Sequence, residues 1–185
     1  MGLTDSWNIG YRLFKQENYN SIFISNNDVI LNKTSIINMI KALENFTVVC
    51  PLSSKRGSGH NSKFQDIAKY YPELSKISDN DKEQHIIESK LTNNSLIEMD
   101  CWNGFFFGLN RKIIDCEFDE TNLFNPINIQ AGQEGDLHKR MKEKPVVCCN
   151  SFIFHYKSVT SPACGVLNGV DKRNLKENIN KYHRR

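Results

Sequence analysis

No stretch of the 185-residue chain approaches the run of about 18 to 20 apolar residues that a bilayer-spanning helix needs. Asp5, Asn8 and Arg12 interrupt the start where a secretory signal would be apolar. Charge of one sign is equally scarce. Twenty-four Lys and Arg against 21 Asp and Glu leave +3, and the basic residues are scattered apart from Lys181, His183, Arg184 and Arg185 at the end. A nucleic-acid binder built on a basic stripe is therefore a poor reading. Cysteine is too sparse for a disulfide scaffold, with six residues and no Cys-x-x-Cys or Cys/His cluster at zinc spacing. Cys148 and Cys149 are adjacent and poorly placed to pair, and Cys50, Cys101 and Cys148 sit in apolar runs where a thiol acts as a small hydrophobe. A reducing, cytoplasmic compartment is the simplest expectation. Gly57 and Gly59 lack the Gly-Lys-Ser/Thr ending of a phosphate loop. Met1-Gly2-Leu3-Thr4-Asp5-Ser6 fits the myristoylation pattern, and Asn32 and Asn45 fit the glycosylation pattern. Asn is so frequent here that chance matches to the latter are expected.

What is present is a core. Eleven Phe, six Tyr and two Trp supply large apolar side chains for one ordinary domain. Residues 7–16 read as a helix with Ile9, Leu13 and Phe14 on one side. Ser21-Ile22-Phe23-Ile24-Ser25 is a short run of β-formers of the buried α/β kind, ending at Asn26-Asn27-Asp28. A second helix is expected over 33–44, capped by Thr34 or Ser35, and a second strand over 46–50, closed by Pro51. Residues 52–95 read as a polar, charged insert of the kind that forms functional or mobile loops. Order returns in the aromatic block 97–114. A helix opens at Gln133-Glu134-Gly135-Asp136 and runs to about 143, a strand or kinked pair of strands spans 146–154, and His155 follows. A terminal helical tail is expected over about 165–185.

Three places could carry chemistry. Asp28 stands just past the carboxyl end of a strand, where open α/β sheets bind ligands, and a carboxylate among amides suits a hard divalent cation. The plain alternative is an Asx turn closing the strand. Glu134 and Asp136 stand at a helix N-terminus, where the dipole favours the ionised form a general base needs. The plain alternative is an ordinary cap with an Asp136–Arg140 pair. His155 ends a strand near the same edge, and a lone His there is commonly a packed residue.

Taken as an ordered set, these stretches resemble the family 2 type of glycosyltransferases with the GT-A fold. Asn8 and Gly10 resemble the family's Asn-x-Gly pair, and Ser25-Asn26-Asn27-Asp28-Val29 its metal motif. Cys101-Trp102-Asn103-Gly104 through Arg111 resembles its acceptor-side block, and Phe118-Asp119-Glu120 its Phe-Asp-Glu. Gln133-Glu134-Gly135-Asp136-Leu137 with Arg140 resembles the Glu-Asp-x-Asp-Leu-x-x-Arg motif, and His155 with Ser158 and Thr160 the closing His-x-x-Ser-x-Thr.

The resemblance implies an α/β fold, a shortened GT-A-like mixed sheet flanked by helices, in a single domain over 1–185. It implies metal-dependent transfer of a sugar, with inversion, from a nucleotide-sugar donor to a carbohydrate or glycoprotein acceptor. Asp28 would bind Mn2+ or Mg2+, with His155 as the further ligand. Asn26, Asn27, Asp28 and Arg140 would hold the donor. Glu134 would be the base, at a position the family usually fills with Asp, and Asp136 would support it. Trp102, Asn103 and Gly104 would meet the acceptor. The family begins with a βαβ portion that holds the nucleotide base, and Met1 lies where that portion should already have ended. A homo-oligomer, or a partner chain covering an open sheet edge, is therefore expected. The competing expectation is a non-catalytic remnant that binds carbohydrate or a protein.

Overall fold

The computed structural model describes residues 2–58, 63–128 and 132–156. The expected tail, Ser158, Thr160 and the basic end lie outside the described residues.

Helix α1 spans Leu3–Gln16, one turn earlier than its apolar spacing suggests, because the Gly2 N–H donates to the Asp5 carboxylate at 2.9 Å and closes the first turn. It buries Trp7, Tyr11 and Phe14, whereas Ile9 and Leu13 face solvent. Strand β1 is Ser21–Ser25, and the two-residue β2 is Val29–Ile30. Helix α2 covers Lys33–Leu43 and is capped by Asn32, not Thr34 or Ser35. The Asn32 side chain accepts the Ser35 N–H at 2.6 Å, while Ser35 is buried and donates its hydroxyl to the Phe152 carbonyl.

Strand β3 is Val48–Leu52 and runs through Pro51 instead of stopping at it. Pro51 has no N–H to give to a ladder, and the pairing shifts register between Pro51 and Leu52. Residues after β3 form the short helix α3, Lys55–Ser58, three 3-10 turns and helix α4, Gln84–Lys90. Ile67, Leu74 and Ile87 from this stretch are buried in the main core, so it packs as part of the domain. Strand β4 is Leu96–Glu98, β5 is Phe106–Asn110, helix α5 is Gln133–Arg140, β6 is Val146–Phe152 and β7 is Phe154–His155. Of the two forms expected for 146–154, the pair of strands joined by a kink is found, with the break at Ile153.

The main sheet has the order β1-β5-β3-β6-β4. β3 and β6 are parallel, and β5 is antiparallel to both β1 and β3, so β1, β3 and β6 run in one direction. β4 returns antiparallel along β6. The chain is thus a mixed α/β structure with helices on its sheet. Trp7, Tyr11 and Phe14 of α1 join Ile24, Phe107 and Phe152 in one core, while Met39 and Leu43 of α2 join Val49, Phe105 and Phe106 in a second. Among the described residues no helix is long and apolar enough to cross a membrane.

Candidate functional site

The carboxyl ends of β1, β3 and β6 and the amino end of β5 all open on one edge of the sheet, the edge where α/β folds gather ligands. Asn26, Asn27 and Asp28 leave β1 there, residues 53–57 leave β3, His155 follows β6, and residues 102–105 lead into β5.

The pairing of β2 with β7 sets Val29 opposite His155, and the Tyr156 N–H donates to the Asp28 carbonyl at 2.9 Å. Asp28 and His155, 127 residues apart, therefore meet. Asp28 Oδ1 stands 3.2 Å from His155 Nε2, with side chains only 9% and 6% exposed. The other ring nitrogen, Nδ1, lies 2.7 Å from the Gly57 carbonyl oxygen. That carbonyl can only accept, so Nδ1 carries the proton and Nε2 is turned toward Asp28. Phe105 stacks on the imidazole with 4.9 Å between centroids and 11° between planes, fixing the ring. A cavity of about 300 Å³ opens beside His155, lined by Arg56, Asp79, Asp81, Phe154 and Tyr156. Asn26 gives its N–H to the Phe105 carbonyl at 2.8 Å, and Asn27 is exposed at the rim.

Glu134 belongs to the first turn of α5. The turn is entered through Gly132 at φ +88°, a left-handed conformation that suits glycine. Gln133 is buried and ties this end of the helix to α1 through the Thr4 hydroxyl at 2.8 Å. Glu134 lies against Gly104, where an added Cβ would come within 2.6 Å of Cδ and 2.8 Å of Cγ of the glutamate. The close approach accounts for glycine at position 104. Burial pushes the Glu134 carboxyl above its ordinary value, although the N–H groups of Glu134 and Gly104 pull it partly back. The expected effect of the helix terminus is present but outweighed by desolvation. Cys50 of β3 lies within reach of this carboxylate. Its thiol is pushed well up, by burial first and by Glu134 second.

A second cavity, about 310 Å³, is lined by Cys101, Trp102, Asn103, Glu134, Gly135 and His138. Trp102 is not the open platform expected for a sugar ring. It is only 6% exposed and packs against Phe107 and His138, so little of its ring faces the cavity. The Asn103 N–H donates to Gln65 Oε1 at 2.7 Å, and Gln65 is itself fully buried. Cys101 is exposed, contrary to its apolar neighbourhood in sequence. Gly104 touches Glu134 and Phe105 stacks on His155. One peptide unit therefore links the two halves of the site.

Arg140 and Asp136 do other work. Arg140 Nη2 meets Asp136 Oδ2 at 2.8 Å and the Leu123 carbonyl at 2.8 Å, and Nη1 donates to the Cys116 carbonyl. The guanidinium is occupied with the 116–123 loop, and Asp136 is directed to it and not to Glu134. Asn8 is likewise a pin: its side chain donates to the Phe124 carbonyl at 2.8 Å and accepts the Phe124 N–H at 2.9 Å. Asp119 caps its own turn by accepting from Thr121 and Asn122. Four participants are not among the residues the sequence points to for this site: Gly57, weighed there only for a phosphate loop, Gln65, Phe105 and His138. Of these only His138 left a signal, since it stands four residues after Glu134 on one helix face.

Gly104→Ala tests the close approach. The added methyl should displace the Glu134 side chain, which has cavity on its other side to enter. The expected result is an upward or downward move of the Glu134 titration, seen by carbon-13 NMR of the labelled carboxyl, with a shift in melting temperature of only a few degrees. An unchanged titration would mean that Glu134 does not rest on Gly104.

Compared with protein-family models, with curated proteins and with solved structures, the chain matches none of them.

Proposed function

We propose that the chain is a metal-dependent glycosyltransferase that moves a sugar from a nucleotide-sugar donor to an acceptor hydroxyl with inversion. The observation that carries this reading is the Asp28–His155 pair at 3.2 Å, with Gly57 holding the far ring nitrogen. In the neutral Nδ1–H tautomer, the Nε2 lone pair points at a carboxylate, and two acceptors so close need a proton or a cation between them. Two ligands each about 2.1 Å from one ion and at right angles stand roughly 3.0 Å apart, so the spacing fits a shared cation. The backbone carbonyl on Nδ1 is the usual outer partner of a metal-binding histidine. Among the described residues no group of three or more His, Cys, Asp or Glu could hold an ion. The remaining positions would fall to diphosphate oxygens and water, as for magnesium and manganese at nucleotide sites.

A bound Mn2+ or Mg2+ would supply Lewis-acid stabilisation of the leaving nucleoside diphosphate. Asn26 and Asn27 line the donor side at the rim. Glu134 accepts the proton of the acceptor hydroxyl as that oxygen bonds to the anomeric carbon. The anomeric C–O bond breaks with its electron pair going to the diphosphate. A base whose affinity for protons is raised by burial is better matched to neutral pH than an ordinary carboxylate. Asn103, Gly104 and the accessible edge of Trp102 bound the acceptor space. Asp136 and Arg140 act on the loop beneath it.

Calorimetry with a nucleoside diphosphate, with and without manganese, tests the proposal. The wild type should bind more tightly with manganese. Asp28→Ala and His155→Ala should each lose about tenfold or more of that gain, in the range for removing a metal ligand or its support. Equal binding by Asp28→Ala would remove the metal assignment. Metal-dependent binding without transfer from any donor would leave a non-catalytic binding module instead.

A further inference from the structure

We infer that two copies of the chain join by antiparallel pairing of their β1 strands about a twofold axis through Phe23, fusing the two sheets into one.

β1 is the terminal strand of the sheet order β1-β5-β3-β6-β4, and among the described residues no strand pairs with its outer edge. The ladder with β5 shows which groups face outward. Just beyond the ends of β1, Asn20 accepts the Arg111 N–H at 2.9 Å and Asn26 donates to the Phe105 carbonyl at 2.8 Å. Hydrogen-bonding pairs alternate along an antiparallel ladder. Residues 20, 22, 24 and 26 thus bond to the β5 side, and Ser21, Phe23 and Ser25 turn their N–H and C=O groups outward.

The sequence of this strand, Ser-Ile-Phe-Ile-Ser, is a palindrome centred on one of those outward residues. A twofold through Phe23 sets Phe23 opposite the partner's Phe23, Ser21 opposite the partner's Ser25, and Ile22 opposite the partner's Ile24. The three outward positions meet only each other, and each meeting is of the type that exchanges two hydrogen bonds. An isologous contact requires this self-complementarity. Side chains agree with it. Phe23 stacks on Phe106 on one face at 5.4 Å, while Ile22 and Ile24 pack with the α1 core on the other. Each face of the joined sheet would continue apolar to apolar across the axis.

The two sheet edges differ in protection. β4, the opposite edge, has three residues and carries Glu98, two of the devices that discourage edge pairing. β1 has five residues with no charge and no proline. No like charges would meet along it. Five strand residues give an edge roughly 17 Å long, and a sheet with a helix layer on each face is roughly 30 Å deep. That strip is at most about 500 Å² per copy, below the roughly 600 Å² per partner of the smallest stable specific interfaces, so the pair is expected to be a weak one. Tyr19 is 59% exposed, and in this register it comes beside the partner's Asn27, enlarging the contact at the rim of the candidate site.

Sedimentation velocity across nanomolar to near-millimolar concentration tests the pairing with two double variants. S21K/S25K sets lysine opposite lysine at both ends of the pairing, and S21D/S25D sets aspartate opposite aspartate. The wild type should dimerise, and each variant alone should dimerise roughly 100-fold more weakly, as expected for like charges held together in an interface. An equimolar mixture should restore a heterodimer, because Lys and Asp then meet at every pair. Thermal melts by circular dichroism check that both variants fold. If one does not, Ser25→Pro replaces it, since Ser25 is exposed and its N–H faces away from β5. A monomeric wild type, a dimer indifferent to these changes, or a mixture that does not associate would each overturn the proposal.

Discussion

On the proposed glycosyl transfer, replacing Glu134 with glutamine should lower turnover by about 10²-fold or more, the usual scale for loss of a general base. The substitution keeps the shape that fits against Gly104 and keeps an oxygen to accept the two N–H groups there. Only the ability to take a proton is removed. Donor affinity should hardly move, because the Asp28–His155 pair lies across the peptide unit from this carboxylate. Steady-state kinetics with manganese and the productive donor read both quantities.

The pH dependence follows from the direction of the Glu134 shift. Burial raises its carboxyl, so turnover of the wild type should rise with pH through a value above that of an ordinary glutamate, and the glutamine variant should lose that limb. Stability moves the other way. A carboxyl whose folded value is raised holds its proton longer in the folded chain than in the unfolded one. Wild-type stability therefore falls as pH climbs from the unfolded value to the folded one, and stays lower above it. Glu134→Gln escapes this loss and should melt higher than the wild type at neutral pH, with the difference closing at acid pH. A variant that is both slower and more stable would mark a group held in place against its solvation preference. A variant that is slower and less stable would point to structural damage.

The elements legible in the sequence were those whose pattern is local. The β1 run, the extent of α2 and the kinked β6–β7 segment all lie where the local sequence sets them, although Ile37 and Ile40 of α2 face solvent. Pro51, expected to close the strand, lies inside β3, where the ladder shifts register beside it and does not need its missing donor. Residues 52–95 misled because their charge hides single apolar residues, such as Ile67 and Ile87, that reach the core from short turns. For the candidate site, only the family resemblance put Asp28 and His155 together; residue by residue, their meeting depends on the β2–β7 pairing, which two-residue strands do not announce. The roles of Gly57 and Gln65 rest on a backbone carbonyl and a buried amide, and neither leaves a pattern.

Arg140→Ala should destabilise the fold by about 3 kcal/mol while leaving nucleotide binding unchanged wherever the chain remains folded. The resemblance assigned this arginine to the donor, but its guanidinium is committed elsewhere. It bonds to the carbonyls of Cys116 and Leu123 and pairs with Asp136, and its side chain is only 22% exposed. Truncation would leave two backbone acceptors and one carboxylate short of a partner, and hydrogen bonds to charged groups contribute about 1.5–3 kcal/mol each before water compensates the exposed part. Asp136→Asn removes only the paired charge and should cost less, about 1 kcal/mol at this partly exposed position. Arg140→Lys keeps a cation near Asp136 but cannot fork across two carbonyls, and should fall between them. Urea denaturation orders the three variants, and calorimetry with nucleoside diphosphate and manganese supplies the second reading. Full stability with lost nucleotide affinity in Arg140→Ala would return this residue to the donor. Lost stability with intact affinity would keep it as the tie that fixes α5, and with it Glu134, to the 116–123 loop.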